Sequence, residues 1–170
     1  MKLDHIFIAS GHAYFGRYGK APSDHPITEI DRAECVQDMG LRGDRFFGHK
    51  DNYKGQVTFF STEVWEQLVE ELHCPTAVPS DLRRNLLVSG TDLNALIGST
   101  FEFQGISFEG VEECRPCFWM DRAITDGAEA WLKGRGGLRC RVLSSGWLHT
   151  ARTGSGPFLH ETTEPLASAN

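Results

Sequence analysis

Two cysteines three positions apart, in the run Cys114-Arg115-Pro116-Cys117, are the residues of this chain best equipped to do chemistry. A thiolate is a soft metal ligand and a strong nucleophile, and a neighbouring cation such as Arg115 favours its ionised form. A lone C-x-x-C has three readings. A structural zinc site draws four ligands from two such pairs, and no second pair exists; His5, His12 or His49 could complete one, but nothing in their spacing says so. A redox pair of the thioredoxin kind would open a helix in a βαβ context, which this region does not show. The third reading is one reactive cysteine with its neighbour partly buried. Against all three stands a packed pair of core thiols, since free cysteine is among the most buried residue types. From the cysteines alone that last reading leads.

The elements around them read mainly as strands. Phe101 to Glu109 gives two strands turning at Gln104-Gly105, which delivers the chain to the cysteines. Leu3 to Ala9, Ile27 to Val36, Gln56 to Phe60 and Leu86 to Val88 are further strand signals. Leu138–Leu143 and Trp147–Ala151, joined by Ser144-Ser145-Gly146, predict a hairpin. Val64, Trp65, Leu68, Val69 and Leu72 recur at helical spacing within Thr62–His73, with Ser61 as N-cap and Pro75 as stop. A shorter helix is predicted over Asp126–Lys133, ended by Gly134. The breaker-rich segment Ser10–Pro26 is a loop whose His12 and Tyr14 are pocket candidates, although a loop histidine is more often solvated. Short strands with two inserted helices predict a mainly antiparallel fold, and closure into a β-barrel would remove exposed edges.

Composition bounds the function. The chain has 170 residues, a length for one domain, here placed at residues 1–152 with a mobile tail over 153–170. Seventeen basic against 23 acidic residues give a formal net charge of −6, which argues against general nucleic-acid binding. No apolar run approaches the ~18 residues of a membrane helix, and the start lacks a signal-peptide core. Five irregularly spaced cysteines do not make a secreted disulfide framework. The expectation is a cytoplasmic protein with reduced thiols.

Two arginine clusters add weight to the cysteines. Gly40-Leu41-Arg42-Gly43-Asp44-Arg45 combines glycines with cations, a composition that lets backbone approach an anion. Leu82-Arg83-Arg84-Asn85-Leu86 sets two arginines before a buried strand, and their planar forks suit phosphate or carboxylate. Solvated turns, or ion pairs with Asp44 or Asp81, explain the same residues. With Arg115 of the cysteine run these clusters make three basic stretches in an acidic protein, which points to locally focused positive potential.

The ordered set Gly43-Asp44-Arg45, Gln56-Val57-Thr58, Arg84-Asn85-Leu86, Asp92-Leu93 to Ile97-Gly98, Cys114 to Asp121 and Gly136-Gly137-Leu138 resembles the MOSC domain family. That family is named for the C-terminal part of molybdenum cofactor sulfurase, and the resemblance spans roughly residues 6–148, closest to its small stand-alone bacterial members. It implies a β-barrel fold. It also implies that Cys117 is the family cysteine, which ligates molybdenum in cofactor-holding members and is proposed to carry sulfur in sulfurase-type ones. By the same resemblance Arg83 would meet the cofactor's phosphate, and Arg45 and Asn85 would line the pocket. Asp121 would orient polar groups of the cofactor or cap a turn. With Arg84 and Arg115 from the basic clusters, these are the candidate cofactor-binding residues. The suspected cofactor is the molybdenum cofactor (molybdopterin); neither zinc nor an iron–sulfur cluster is expected. Two functions follow: a cofactor-binding or sulfur-carrier protein served by a sulfur donor protein, or a molybdenum-dependent oxidoreductase reducing N-hydroxylated compounds with an external reductase. Cys114 is read as a neighbour of the family cysteine, and Cys140 as core.

Overall fold

In a computed structural model that describes residues 1–12 and 25–151, ten strands form two sheets. Tyr14 and the tail over 153–170 lie outside the described residues. The strands are β1 (Lys2–Ile8), β2 (Thr28–Ile30), β3 (Arg32–Val36), β4 (Gly40–Leu41), β5 (Val57–Ser61), β6 (Leu86–Ser89), β7 (Thr100–Phe103), β8 (Ile106–Glu113), β9 (Leu138–Val142) and β10 (Gly146–His149). The large sheet runs β2-β1-β6-β5-β9-β8-β7 and the small one β10-β3-β4. Every pairing is antiparallel except β5 with β6, which run parallel. The helix α1 (Thr62–Glu71) lies in the connection between that parallel pair, as such crossovers demand.

The fold is mainly β, as the sequence predicts, but the strand order of the large sheet is linear rather than a closed ring. The chain reaches the second sheet by bending at Asp31 between β2 and β3, so the two sheets face each other instead of closing. Their shared interior holds Leu3, Ile6, Ala33, Leu41, Phe59, Phe108, Leu138 and Leu148. The opposite face of the large sheet carries a second apolar cluster, in which Phe7, Phe60 and Leu87 meet Trp65 and Leu68 of α1 and Met120 and Leu132 beyond it. Strand alternation explains the split: on β5, Val57 and Phe59 enter the first cluster and Phe60 the second.

The predicted α1 forms, with the Ser61 hydroxyl accepting the Val64 N–H at 3.2 Å. The second predicted helix is shorter, α3 (Ala128–Trp131), because Gly127 sits at φ 88° and holds the preceding residues out of the helix. An additional helix, α2 (Trp119–Ala123), follows the cysteines. The predicted hairpin does not form: β9 pairs with β5 and β8, and β10 pairs with β3 in the other sheet. The Ser144-Ser145-Gly146 linker crosses between sheets. Its hydroxyls accept backbone N–H groups, Ser144 from Ser107 and Ser145 from Gln37, both at 2.9 Å. Among the described residues no helix is long and apolar enough to cross a membrane.

Candidate functional site

Both cysteines line one cavity on the helix-bearing face of the large sheet. Its floor is the cross-strand pair Thr58 on β5 and Arg139 on β9. The loop around Arg45, Phe46 and Tyr53 closes one side. The short 3₁₀ turn Pro79–Leu82 with Arg83 and Arg84, and the Cys114–Met120 segment, close the others. The cavity measures about 140 Å³. Five lining residues are arginine, and none is aspartate or glutamate. In a chain of net charge −6 this is a strong local concentration of positive charge.

The arginines are held in different ways. Arg83 takes a left-handed backbone (φ 54°) as it closes the 3₁₀ turn, a conformation costing a non-glycine residue about 1 kcal/mol. Its guanidinium reaches the Gly11 carbonyl at 3.0 Å. Arg45 donates to the Arg83 carbonyl at 3.1 Å, lies 4.8 Å over the Phe46 ring, and pairs with Asp44 at 3.4 Å. Buried Asp44 in turn accepts the backbone N–H groups of Ala9 and Phe46, which fixes the Gly-Asp-Arg turn against β1. Arg84 donates to three carbonyls, those of Leu82, Gly136 and Cys114, at 2.9–3.0 Å. It therefore clamps the cysteine segment to the 3₁₀ turn while lining the cavity.

Cys117 is half-buried on the loop before α2, where its carbonyl accepts the Met120 N–H at 2.8 Å. Cys114 is only 5% exposed and follows β8 directly, its N–H bonded to the Gly137 carbonyl at 2.7 Å. The strand register sets it beside Arg139: Glu112 of β8 pairs with Arg139, and Cys114, two residues on, lies on the same face and lines the same cavity. Burial alone would lower the Arg139 pKa; the neighbouring Cys114, Tyr53 and Glu112 raise it above the ordinary value instead. The remaining cysteines are core, Cys74 beneath α1 and Cys35 and Cys140 between the sheets. Burial pushes the Cys35 thiol up to about 12 and the Cys140 thiol well above its ordinary value. Neither is a nucleophile at neutral pH.

The cavity gathers Cys114, Cys117, Arg45, Arg83, Arg84 and Arg115 of the residues named from the sequence, and does not include Asn85 or Asp121. Asn85 is 1% exposed; its side chain bonds the Thr58 N–H and hydroxyl and the Phe7 carbonyl. Asp121 accepts the Glu129 N–H at 2.6 Å and so caps α3, one of the two roles expected of it. The residues the sequence reading overlooked are Arg139, Thr58, Tyr53 and Phe46. The only signal for Arg139 was a cation opposing the apolar Leu138, Cys140 and Val142 on an alternating strand.

His12 lines the cavity and reports its potential. Burial first, then the charges of Arg45, Arg83 and His49, depress its pKa below the usual 6.5, with Asp44 opposing. The His12 resonance should therefore titrate below 6.5 in an NMR pH series, and inorganic phosphate should move it upward by offsetting the arginines. The sign for stability follows. The His12 contribution is complete above about 6.5 and is lost as the pH falls from there through its depressed folded value.

The crystal structure of the YuaD protein from Bacillus subtilis has the same fold, with a TM-score of 0.69 at 21% identity over 88% of this chain and 91% of that one. YiiM from Escherichia coli superposes at 0.56 with 16% identity, over 85% of this chain and 65% of that one. No curated protein matches the chain in sequence. The MOSC domain model matches residues 43–153, a span that holds the Arg45 turn, the Arg83–Asn85 junction, both cavity cysteines and Arg139. The chain belongs to the MOSC domain family.

Proposed function

We propose that this is a molybdenum-cofactor-binding or sulfur-carrier protein in which Cys117 ligates molybdenum or accepts sulfane sulfur. The observation that carries this reading is a half-buried cysteine sharing one cavity with five arginines and no carboxylate. The donor set suits such a cofactor: a soft sulfur for the metal, planar cations for a phosphate, and no negative side chain in the lining to repel it. Among the described residues no three His, Cys, Asp or Glu side chains cluster as a metal site, so the metal would arrive with its own ligands. When bound, the cofactor would supply the redox and sulfur-accepting chemistry of its metal. Arg83 and Arg45 would hold the phosphate and Cys117 would supply the sulfur ligand. At about 140 Å³ the cavity is below the roughly 300–1,000 Å³ of sites that enclose a drug-sized ligand. It accommodates a phosphate or a persulfide in full, which favours the carrier role over that of an oxidoreductase enclosing both pterin and an N-hydroxylated substrate.

Protein isolated from a molybdenum-replete host separates the possibilities. Molybdenum and pterin near one per chain, absent from Cys117→Ser, supports cofactor binding. Cofactor-free protein that takes cyanolysable sulfur on Cys117 supports the carrier. Reduction of an N-hydroxylated compound with an added reductase would establish the oxidoreductase in place of the carrier. If Cys117→Ser leaves metal content and sulfur loading unchanged, the reading is wrong.

A further inference from the structure

The two thiols of the cavity are unequal, and the proposed function uses only one. Cys117 is half-buried on a loop; Cys114 is 5% exposed and locked in place. The Cys114 N–H is bonded to Gly137 and its carbonyl to Arg84. The packing is tight here, for a Cβ added at Gly136 would lie 2.4 Å from the Cys114 carbonyl oxygen. Cys114 and Arg139 are neighbours in the β8–β9 register and line the same cavity. A buried thiol with an arginine partner, opening onto a cavity that a second thiol also lines, is not the arrangement of a core cysteine. Cys35 and Cys140, in the apolar interior between the sheets, show that arrangement.

We propose that Cys114 is the second station of a two-thiol relay: sulfane sulfur accepted on Cys117 passes to Cys114, where Arg139 holds it as a persulfide anion. The inference rests on the reading that Cys117 accepts sulfur. In the transfer, the Cys114 thiolate attacks the outer sulfur of the Cys117 persulfide. A bond forms between Cys114 Sγ and that sulfur, the bond from Cys117 Sγ breaks, and its electron pair leaves Cys117 as a thiolate. The proton on the migrating sulfur then passes to Cys117, because a persulfide is a stronger acid than a thiol. The sulfane sulfur keeps its oxidation level, so neither oxidant nor reductant is consumed. The direction follows from electrostatics. Arg139, beside Cys114 in the strand register, would donate to a persulfide anion held there, and charge-assisted hydrogen bonds contribute enough to bias the exchange about tenfold or more. Burial of Cys114 also keeps the stored sulfur from reductants in solution.

The test loads the full-length protein with inorganic polysulfide, maps the sulfur by alkylation and peptide mass spectrometry, and follows its release by cyanide. Wild type should hold its sulfur on Cys114 and release it about tenfold more slowly than Cys114→Ser, which keeps it on Cys117. Arg139→Gln should move the sulfur back to Cys117 and release it at the Cys114→Ser rate. Sulfur found on Cys117 alone in wild type, a measurement that needs no variant to fold, overturns the relay while leaving the carrier reading intact. Folded wild type that loads neither thiol overturns both.

Discussion

Arg84→Met is expected to unfold at a temperature roughly 10 °C lower than the parent, a loss of about 3 kcal/mol for a chain of this size. The guanidinium gives its Nε, Nη1 and Nη2 donors to the carbonyls of Gly136, Leu82 and Cys114. Methionine keeps the aliphatic stem and removes all three bonds. Charged hydrogen bonds contribute about 1.5–3 kcal/mol each, but the site is only part-buried and water replaces some of them, so the sum is well below three full bonds. Arg84→Lys separates charge from shape. A point-charge ammonium cannot span three carbonyls on different segments, so it should recover less than half of the loss. Thermal melts of the three proteins check this, and equal stability of all three would show that the clamp carries no load. Because the clamp holds the Cys114 carbonyl, Arg84→Met should also blunt the phosphate response of His12.

Asn85→Ala is expected to cost about 3–5 kcal/mol, the larger of the two effects, measurable as a lower denaturant midpoint at unchanged slope. Asn85 is fully buried where β1, β5 and β6 meet. Its side-chain oxygen accepts from the Thr58 N–H and hydroxyl, and its amide donates to the Phe7 carbonyl. Alanine strands two buried backbone groups with no route to solvent, and each unmet group costs about 1–3 kcal/mol. Asn85→Asp sharpens the test. The carboxylate retains the acceptor, loses the donor toward Phe7, and buries a charge, which raises its own pKa. Its stability should be greatest at low pH and fall as the pH rises through that value, opposite in sign to His12. A pH-independent loss in Asn85→Asp would argue that the carboxyl is solvated and the packing looser than described.

These two residues show where sequence reading reaches and where it stops. Arg84 and Asn85 were conspicuous by type, and a cation or an amide before a buried strand looks like a ligand. Both have backbone groups of distant segments as partners, separated by 27 to 78 positions in the case of Asn85. Unpaired carbonyls and N–H groups at element ends leave no mark in a sequence. Arg139 is the converse case. A single arginine on an alternating strand looks like a solvated face, and only the β5–β9 register sets it beside Thr58 at the cavity floor.

Local chemistry determined what could be read directly. Periodicity and caps set α1, β-branched and aromatic runs set β1 and β5, Gln104-Gly105 set the β7–β8 turn, and the order of short motifs set the family. The cysteine pair was likewise visible as a possible nucleophile. The tertiary structure decided the rest, because each outcome depends on contacts between segments far apart in sequence. The Ser144–Gly146 linker crosses between sheets instead of closing a hairpin, since Ser107 and Gln37 offer it backbone N–H partners. The large sheet has a linear strand order, and at Asp31 the chain leaves it for a second sheet. Cys114 and Cys117 became unequal only when Arg84, Gly137 and Arg139 closed around the first of them and left the second half-buried.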